Sequence, residues 1–500
     1  MSRIVVVGAG VGGLAAAVRL ASAGHEVTVH ERAAEVGGKL GRYERDGFLF
    51  DTGPSLLTLP QVFTDLGIDL DPEPLDPVVR HVFPDGSTLD SSSDPAVFTE
   101  RIADAFGAAA AADWTRFWHR AERIWAASWR SVLQREVSPA TLARLSWRVR
   151  DLAAIAPGRS LRALGRHYLR DRRLRMLLDR YATYTGTDPR RAPAALAAIP
   201  YAELAFGGWY LPGGLRVLAS ALVARCTALG VTIHTGSAVT AIRTAEGRVT
   251  GVELSSGAGV PADLVVSDVD AATLYRDLLP SPARLSGLAD RSLAGFVLLL
   301  GVRGETPQLA HHTVFFPRYY DAEFDAVFGD PAHGRRARPP SDPAVFITRA
   351  HDPAVHPPGA EAWFVLVNAP RHGTGFGAVD WRRPGLASSY GEHILAVLAR
   401  RGLDVRDRLA FMETRTPADL ADATGAPGGA IYGTAGGLLR PANRGPVQGL
   451  YLVGGSAHPG GGLPMVTLSA KIVADRIGPA PVDGIGSAPT DGIGPALTDR

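Results

Sequence analysis

Six residues near the start of the chain, Gly8-Ala9-Gly10-Val11-Gly12-Gly13, have the types and spacing to hold a phosphate anion. They follow a β-branched run, Ile4–Val7, and lead into a small, apolar stretch at helical spacing, Gly12–Ala23. In such a G-x-G-x-x-G loop the first glycine permits the tight turn. The second lets the backbone approach a pyrophosphate, and the third lets helix and strand pack closely. Helix N–H groups without intrahelical partners, at the positive end of the helix dipole, then face the phosphates. Glu31 ends a second expected strand, Glu26–Glu31, and its carboxylate can accept hydrogen bonds from both ribose hydroxyls. An acidic residue at that place argues against a 2′-phosphate, hence against NADP. These residues predict a dinucleotide but do not separate FAD from NAD.

The next segment does. Glu31 is followed after five residues by Gly37-Gly38-Lys39, then by Gly47-Phe-Leu-Phe-Asp-Thr-Gly-Pro-Ser55. This resembles the amine-oxidase-like FAD superfamily, in which the glycine pair wraps FAD and the basic residue lies near its phosphates. A late strand ending in glycines, Gly449–Gly455, leads through Gly460-Gly-Gly-Leu-Pro-Met-Val466 into a helix. In that superfamily this segment closes over the flavin ring, and its helix end can stabilise charge on reduced flavin. Val239 matches the strand that meets the adenine. The resemblance therefore implies FAD, held by Gly8, Ala9, Gly10, Gly12, Gly13, Glu31, Arg32, Gly38, Lys39, Gly53, Pro54, Ser55, Val239, Gly454, Gly455, Pro464, Met465 and Val466.

Four segments narrow the resemblance to bacterial phytoene and carotenoid desaturases: Phe48–Thr58, Tyr184–Pro189 with Ala198–Gly207, Trp209–Leu215, and Leu450–Met465. Together they span roughly residues 3–477. Pro464–Ser469 is also similar to hydroxycarotenoid 3,4-desaturases. Such enzymes pass a hydride from an allylic carbon to the flavin while a neighbouring proton leaves. The resemblance implies a C40-type polyene substrate and a quinone or oxygen as electron acceptor. The alternatives are a carotenoid isomerase or ketolase, an amine oxidase, and a non-catalytic prenyl-lipid carrier of related architecture. No catalytic base and no metal-ligand cluster stand out. His311-His312 reads as a strand-edge pair, and His458 either shapes the flavin site or caps a loop.

The elements around these residues predict an α/β fold. A Rossmann-type FAD-binding domain (1–75, 205–290 and 430–478) is interleaved with a discontinuous mixed-sheet substrate domain (76–204 and 291–429). Strands are expected at Val231–His234, Ala238–Arg243, Arg248–Leu254, Leu264–Ser267, Phe296–Val302, Ala344–Thr348, Trp363–Asn368 and Leu450–Val453, and a helix at Val466–Ile477. The tail, 479–500, is rich in proline and glycine and is expected to be disordered.

One cysteine, Cys226, excludes a disulfide framework and suits a reducing cytoplasm. No secretory leader is expected, and no apolar run is long enough to span a bilayer. From Arg116 to Arg180 there are 16 Arg against five acidic residues, so +11 within a chain of net +2. Trp114, Trp118, Trp125 and Trp129 fall within ~60° on one helix face, with Arg116, Arg120, Arg123 and Arg130 opposite. Two readings stand: a helical region facing the cytoplasmic side of a membrane peripherally, or an amphipathic helix whose tryptophans pack inward. Nucleic acid is not an expected partner, because no binding fold accompanies the charge.

Overall fold

The computed structural model describes residues 1–136, 147, 149–435 and 440–481. Two large sheets are built from strands drawn from the whole chain. In chain order these are β1 (Arg3–Val7), β2 (Glu26–His30), β3 (Arg80–Val82), β4 (Thr88–Asp90), β5 (Thr232–His234), β6 (Leu264–Ser267), β7 (Ala294–Arg303), β8 (His312–Phe315), β9 (Val345–Arg349), β10 (Ala360–Ala369), β11 (Leu409–Arg415) and β12 (Leu450–Leu452). The helices that matter here are α1 (Val11–Ser22), α2 (Ala108–Ser128), α3 (Arg172–Arg180), α4 (Ala198–Phe206), α5 (Arg216–Ala228) and α6 (Leu463–Ile477).

The first sheet is parallel, in the order β5-β2-β1-β6-β12. Its central strand reads Ile-Val-Val-Val and is buried on both faces, as a parallel strand between helices must be. α1 lies on one face with Leu14, Ala15, Ala16, Ala17 and Leu20 fully covered, packed with Leu218 and Leu222 of α5 and Val473 of α6. Each buried leucine or valine contributes roughly 1.5–3 kcal/mol over its exposed state. The small side chains of α1 let it settle close to the strands.

The second sheet is mixed, in the order β11-β7-β10-β9-β8-β3-β4. Its outer face packs Phe296, Leu298, Trp363, Val365 and Ile347 into a core with Ile394 and Leu398. Its inner face carries Leu299, Phe364, Leu366, Phe346 and Thr348, which share one side by register. On β9 the inner residues Phe346 and Thr348 are only half-buried, while Val345 and Ile347 are fully covered. A strand in mid-sheet with one incompletely covered face marks an interior space beside it.

The expected strands and the late helix all form, with ends shifted by a few residues. The α/β class stands. The tail assignment for 482–500 lies outside the described residues. His311-His312 is not a strand-edge pair: β8 sits between β9 and β3, and His312 is fully buried. Its Nε2 meets Ser55 O at 3.1 Å and its Nδ1 lies 3.3 Å from Val78 O. Burial pushes the His312 pKa down to about 4 and that of His311 to about 2, so both rings are neutral at pH 7. A neutral His312 carries one N–H, which donates to one of these two carbonyls and meets the requirement of the interior.

The tryptophan face divides. Trp114 is buried against Phe98 and Phe117, so the inward reading holds for it. Trp118, Trp125 and Trp129 are half-buried: Trp118 and Trp125 pack on Tyr201 of α4, Trp125 also on Phe206, and Trp129 stacks on Trp125. Much of the arginine excess is consumed locally. Arg116 and Arg170 both pair with Asp113, which lies just outside the counted stretch. Arg162 pairs with Asp179 and Asp321, Arg173 with Asp85 and Asp171, and Arg120 donates to the Ala154 carbonyl. Among the described residues no helix is long and apolar enough to cross a membrane.

Candidate active site

The glycine loop turns the chain from β1 into α1 at the carboxyl end of the parallel sheet, where such sheets take ligands. Gly13 has the packing role expected of it: a Cβ there would overlap the Gly8 carbonyl oxygen. Gly37 N donates to Ala9 O at 2.8 Å, which lays the Gly37-Gly38 turn along Gly10. Glu31 reaches the same loop. Its Oε2 accepts from Ala9 N at 2.7 Å and its Oε1 from Ala33 N at 2.8 Å. Ser237 N donates to Glu31 O at 2.8 Å, which brings the chain just before Val239 to the ribose end.

The late block arrives from the other side. Val453 N donates to Ser267 O, and Gly454 comes so close to the loop that a Cβ on Gly12 would lie 2.9 Å from its Cα. Gly455 faces Gly461 and Val466. Pro464 and Met465 open the first turn of α6, where no acidic side chain opposes an anion. Gly53-Pro54-Ser55 is fastened to the mixed sheet through Ser55, whose Oγ meets Thr348 Oγ1 at 2.9 Å. Leu49, Phe50, Asp51, Ser55, Tyr210, Thr348 and Phe364 line a cleft of about 460 Å3, counted to its open mouth.

Two expected cofactor residues turn elsewhere. Arg32 Nη2 donates to Asp422 O at 2.6 Å. Lys39 Nζ is buried and donates to the carbonyls of Ala430 at 3.1 Å and Ile431 at 2.5 Å. Desolvation lowers its pKa to about 8, with Asp270 and Asp268 working against that drop. His458 Nε2 lies 3.0 Å from Val132 O, in the helical turn that follows α2.

Sequence reasoning missed Asp268. It follows β6 directly, at the end of the strand beside β1, and is half-buried. The backbone N–H groups of Gly13 and Gly10 point at its carboxylate. Burial raises its pKa to about 7, the N–H groups of Gly13 and Gly10 and the nearby Lys39 lower it, and the Glu31 charge adds to the rise. The signal was present: a carboxylate directly after a parallel strand stands in the ligand crevice. Asp51, inside the Phe48–Ser55 segment, has a fixed structural task. It accepts from Leu215 N at 2.7 Å and Arg216 N at 3.0 Å, capping α5 from a distant part of the chain.

Residues 11–296 match the family described as flavin containing amine oxidoreductase. The chain is 34% identical over 499 residues to 4,4'-diapolycopene oxygenase of Methylomonas sp, covering 95% of this chain and 98% of that protein. The chain belongs to the flavin-containing amine oxidoreductase family. The flavoenzyme is also 30% identical to 4,4'-diaponeurosporene oxygenase of Staphylococcus aureus strain Newman, with 95% and 97% covered. Among solved structures it resembles an oxidoreductase from Methanosarcina mazei (TM-score 0.63, 19% identity, 95% of this chain and 100% of that one). It also resembles putrescine oxidase bound to putrescine (TM-score 0.57, 16% identity, 95% and 98% covered), and at these identities the likeness shows the fold alone.

FAD is the cofactor of this FAD-dependent oxidoreductase, and the site fits it. Gly10 and Gly12 present bare backbone at the N-terminus of α1, in a space so close to Asp268 and Gly454 that a Cβ would collide, with Glu31 bonded to Ala9 N at the ribose end. Among the described residues no group of His, Cys, Asp and Glu could hold a metal ion.

Proposed function

We propose that the flavoenzyme oxidises an acyclic carotenoid polyene at an allylic position near its end. The observation that carries this reading is the half-covered inner face of the mixed sheet, Phe346, Thr348 and Leu366, tied through Thr348 to the expected flavin-binding segment at Ser55. It is mainly apolar, and among the described residues no metal-binding group of side chains stands beside it. The names of the full-length relatives, oxygenases of 4,4'-diapo carotenoids, support oxygenation at the chain end. The likeness of Phe48–Thr58 and Leu450–Met465 to carotenoid desaturases favours the second reading, introduction of double bonds into a C40-type substrate.

FAD, when bound, supplies the acceptor for a hydride from the allylic C–H. The protein's part is alignment. The cation left by the hydride would take its oxygen from one water in the first reading and lose a neighbouring proton in the second. Ser55, tied to Thr348 and His312, fixes the flavin-side loop against the sheet. The neutral imidazole of His312 does this without adding a charge to an apolar chamber. A quinone or oxygen would reoxidise the flavin.

Delivery of a water-insoluble polyene requires contact with a bilayer, and we assign this to the aromatic cluster of Trp118, Trp125, Trp129 and Phe206, on the cytoplasmic face. Phe206 is 37% exposed. Exposed Trp147 and the unpaired part of the arginine excess would assist. Expression in a host that accumulates acyclic carotenoids tests the function. Pigments that gain oxygen at the chain end support the first reading. Loss of hydrogen alone supports the second. Unchanged pigments together with oxidation of a soluble amine would move the enzyme to the amine oxidases.

A further inference from the structure

Beside the inner sheet face lies a buried polar cluster that the flavin site does not use. Arg180, at the end of α3, is 6% exposed. Its guanidinium stands 5.6 Å from the Phe346 ring and 5.1 Å from the Tyr184 ring. Nη2 donates to Tyr184 Oη at 3.0 Å. Tyr181 Oη donates to Glu203 Oε1 at 2.7 Å, and Glu203, 2% exposed, supplies the balancing charge. Tyr432 faces the same cation and packs on the flavin block, since a Cβ on Gly461 would run into its ring. Arg180 Nη1 is buried and has no hydrogen-bond partner among the described residues.

A buried guanidinium N–H without an acceptor is costly, and proteins rarely leave one so. An acceptor for Nη1 would sit beside the Tyr184 and Phe346 rings that flank the guanidinium. The group that suits is a single oxygen on a flat, conjugated chain. We propose that Arg180 Nη1 binds an oxygen on the terminal carbon of the polyene, the carbonyl of a polyenal or the hydroxyl that precedes it, with Tyr184 and Phe346 flanking the chain. The proposal rests on the polyene-oxidising function above and names the end group that the site selects. An apolar chamber by itself separates a hydrocarbon from its oxygenated analogue poorly. A buried donor that needs an acceptor separates them well.

The test uses the purified holoenzyme in detergent micelles with two probes, a polyene carrying one terminal aldehyde and its parent hydrocarbon. A donor on the carbonyl lowers the C=O stretching frequency in the Raman spectrum and shifts the polyene absorption to the red. Both shifts are expected in the parent enzyme, relative to the same polyenal in lipid. Arg180→Leu should abolish them and weaken polyenal binding by about tenfold or more, the loss of one hydrogen bond to a charged group. Binding of the hydrocarbon should not change, and Arg180→Lys should restore part of the shift. A polyenal that binds the parent enzyme with its lipid carbonyl frequency overturns the proposal, whether or not the leucine variant folds. If neither probe binds the parent enzyme, the polyene function itself fails.

Discussion

The Asp268 carboxylate oxygen lies 2.6 Å from where a Cβ on Gly12 would stand, so the glycine loop and a half-buried acid share one small space. The backbone N–H groups aimed at Asp268 are of the kind that would hold the pyrophosphate of FAD.

This juxtaposition predicts a pH dependence. The Asp268 pKa is raised to about 7 in the folded protein, against 3.8 for the free side chain. The folded state therefore holds a proton that the unfolded state has lost, and stability falls as pH rises between those values. FAD retention should fall in the same direction near pH 7, because an ionised Asp268 repels the pyrophosphate. Asp268→Asn should flatten both profiles and retain FAD at pH 8. Melting curves and bound-flavin absorbance at pH 5 and 8 check this. An unchanged profile in the variant would show that another group governs it.

Substitution in the loop should be costly. Gly12→Ala would press on Asp268 and Gly454, and overpacking of this kind costs about 1–3 kcal/mol. Gly10→Val should abolish FAD binding, read as loss of the flavin spectrum from purified protein.

Asp51→Ala removes the acceptor for two N–H groups at the start of α5, and a lost cap costs about 0.5–2 kcal/mol. Burial raises the Asp51 pKa to about 6. Its titration, like that of Asp268, makes stability fall as pH rises, here from about 4 to about 6. The variant should unfold at lower denaturant and lose that part of the slope.

Membrane contact is testable at its exposed members. Phe206→Ser with Trp147→Ser should reduce flotation of the protein with anionic liposomes and leave FAD content intact, because both rings face solvent. High salt should release part of the parent protein, as expected of arginine-driven attachment with a Debye length of about 10 Å at 0.1 M. Equal flotation of variant and parent would place the docking surface elsewhere. Serine at Trp118 is a different experiment, since that ring packs on Tyr201 at 4.7 Å and its loss should also destabilise α2.

The parallel β-α-β start, the glycine loop, Glu31 and the strand limits were legible in the sequence because local spacing carries them. Apolar runs, helical periodicity and glycine placement are properties of neighbours in the chain, and a ligand loop built within one β-α-β unit inherits that legibility. The same local rules misjudged His312 and left both readings of the tryptophan face open, because burial depends on what arrives from elsewhere. His312 meets Ser55 across 257 positions, and Trp118 meets a helix that begins at Ala198. Asp51 capping α5, Asp268 over the glycine loop and Arg180 beside Phe346 were likewise decided only in three dimensions. A side chain's charge and size are written in the sequence. Which desolvated space it enters, and which donors and acceptors wait there, follows from how elements distant in the chain pack together.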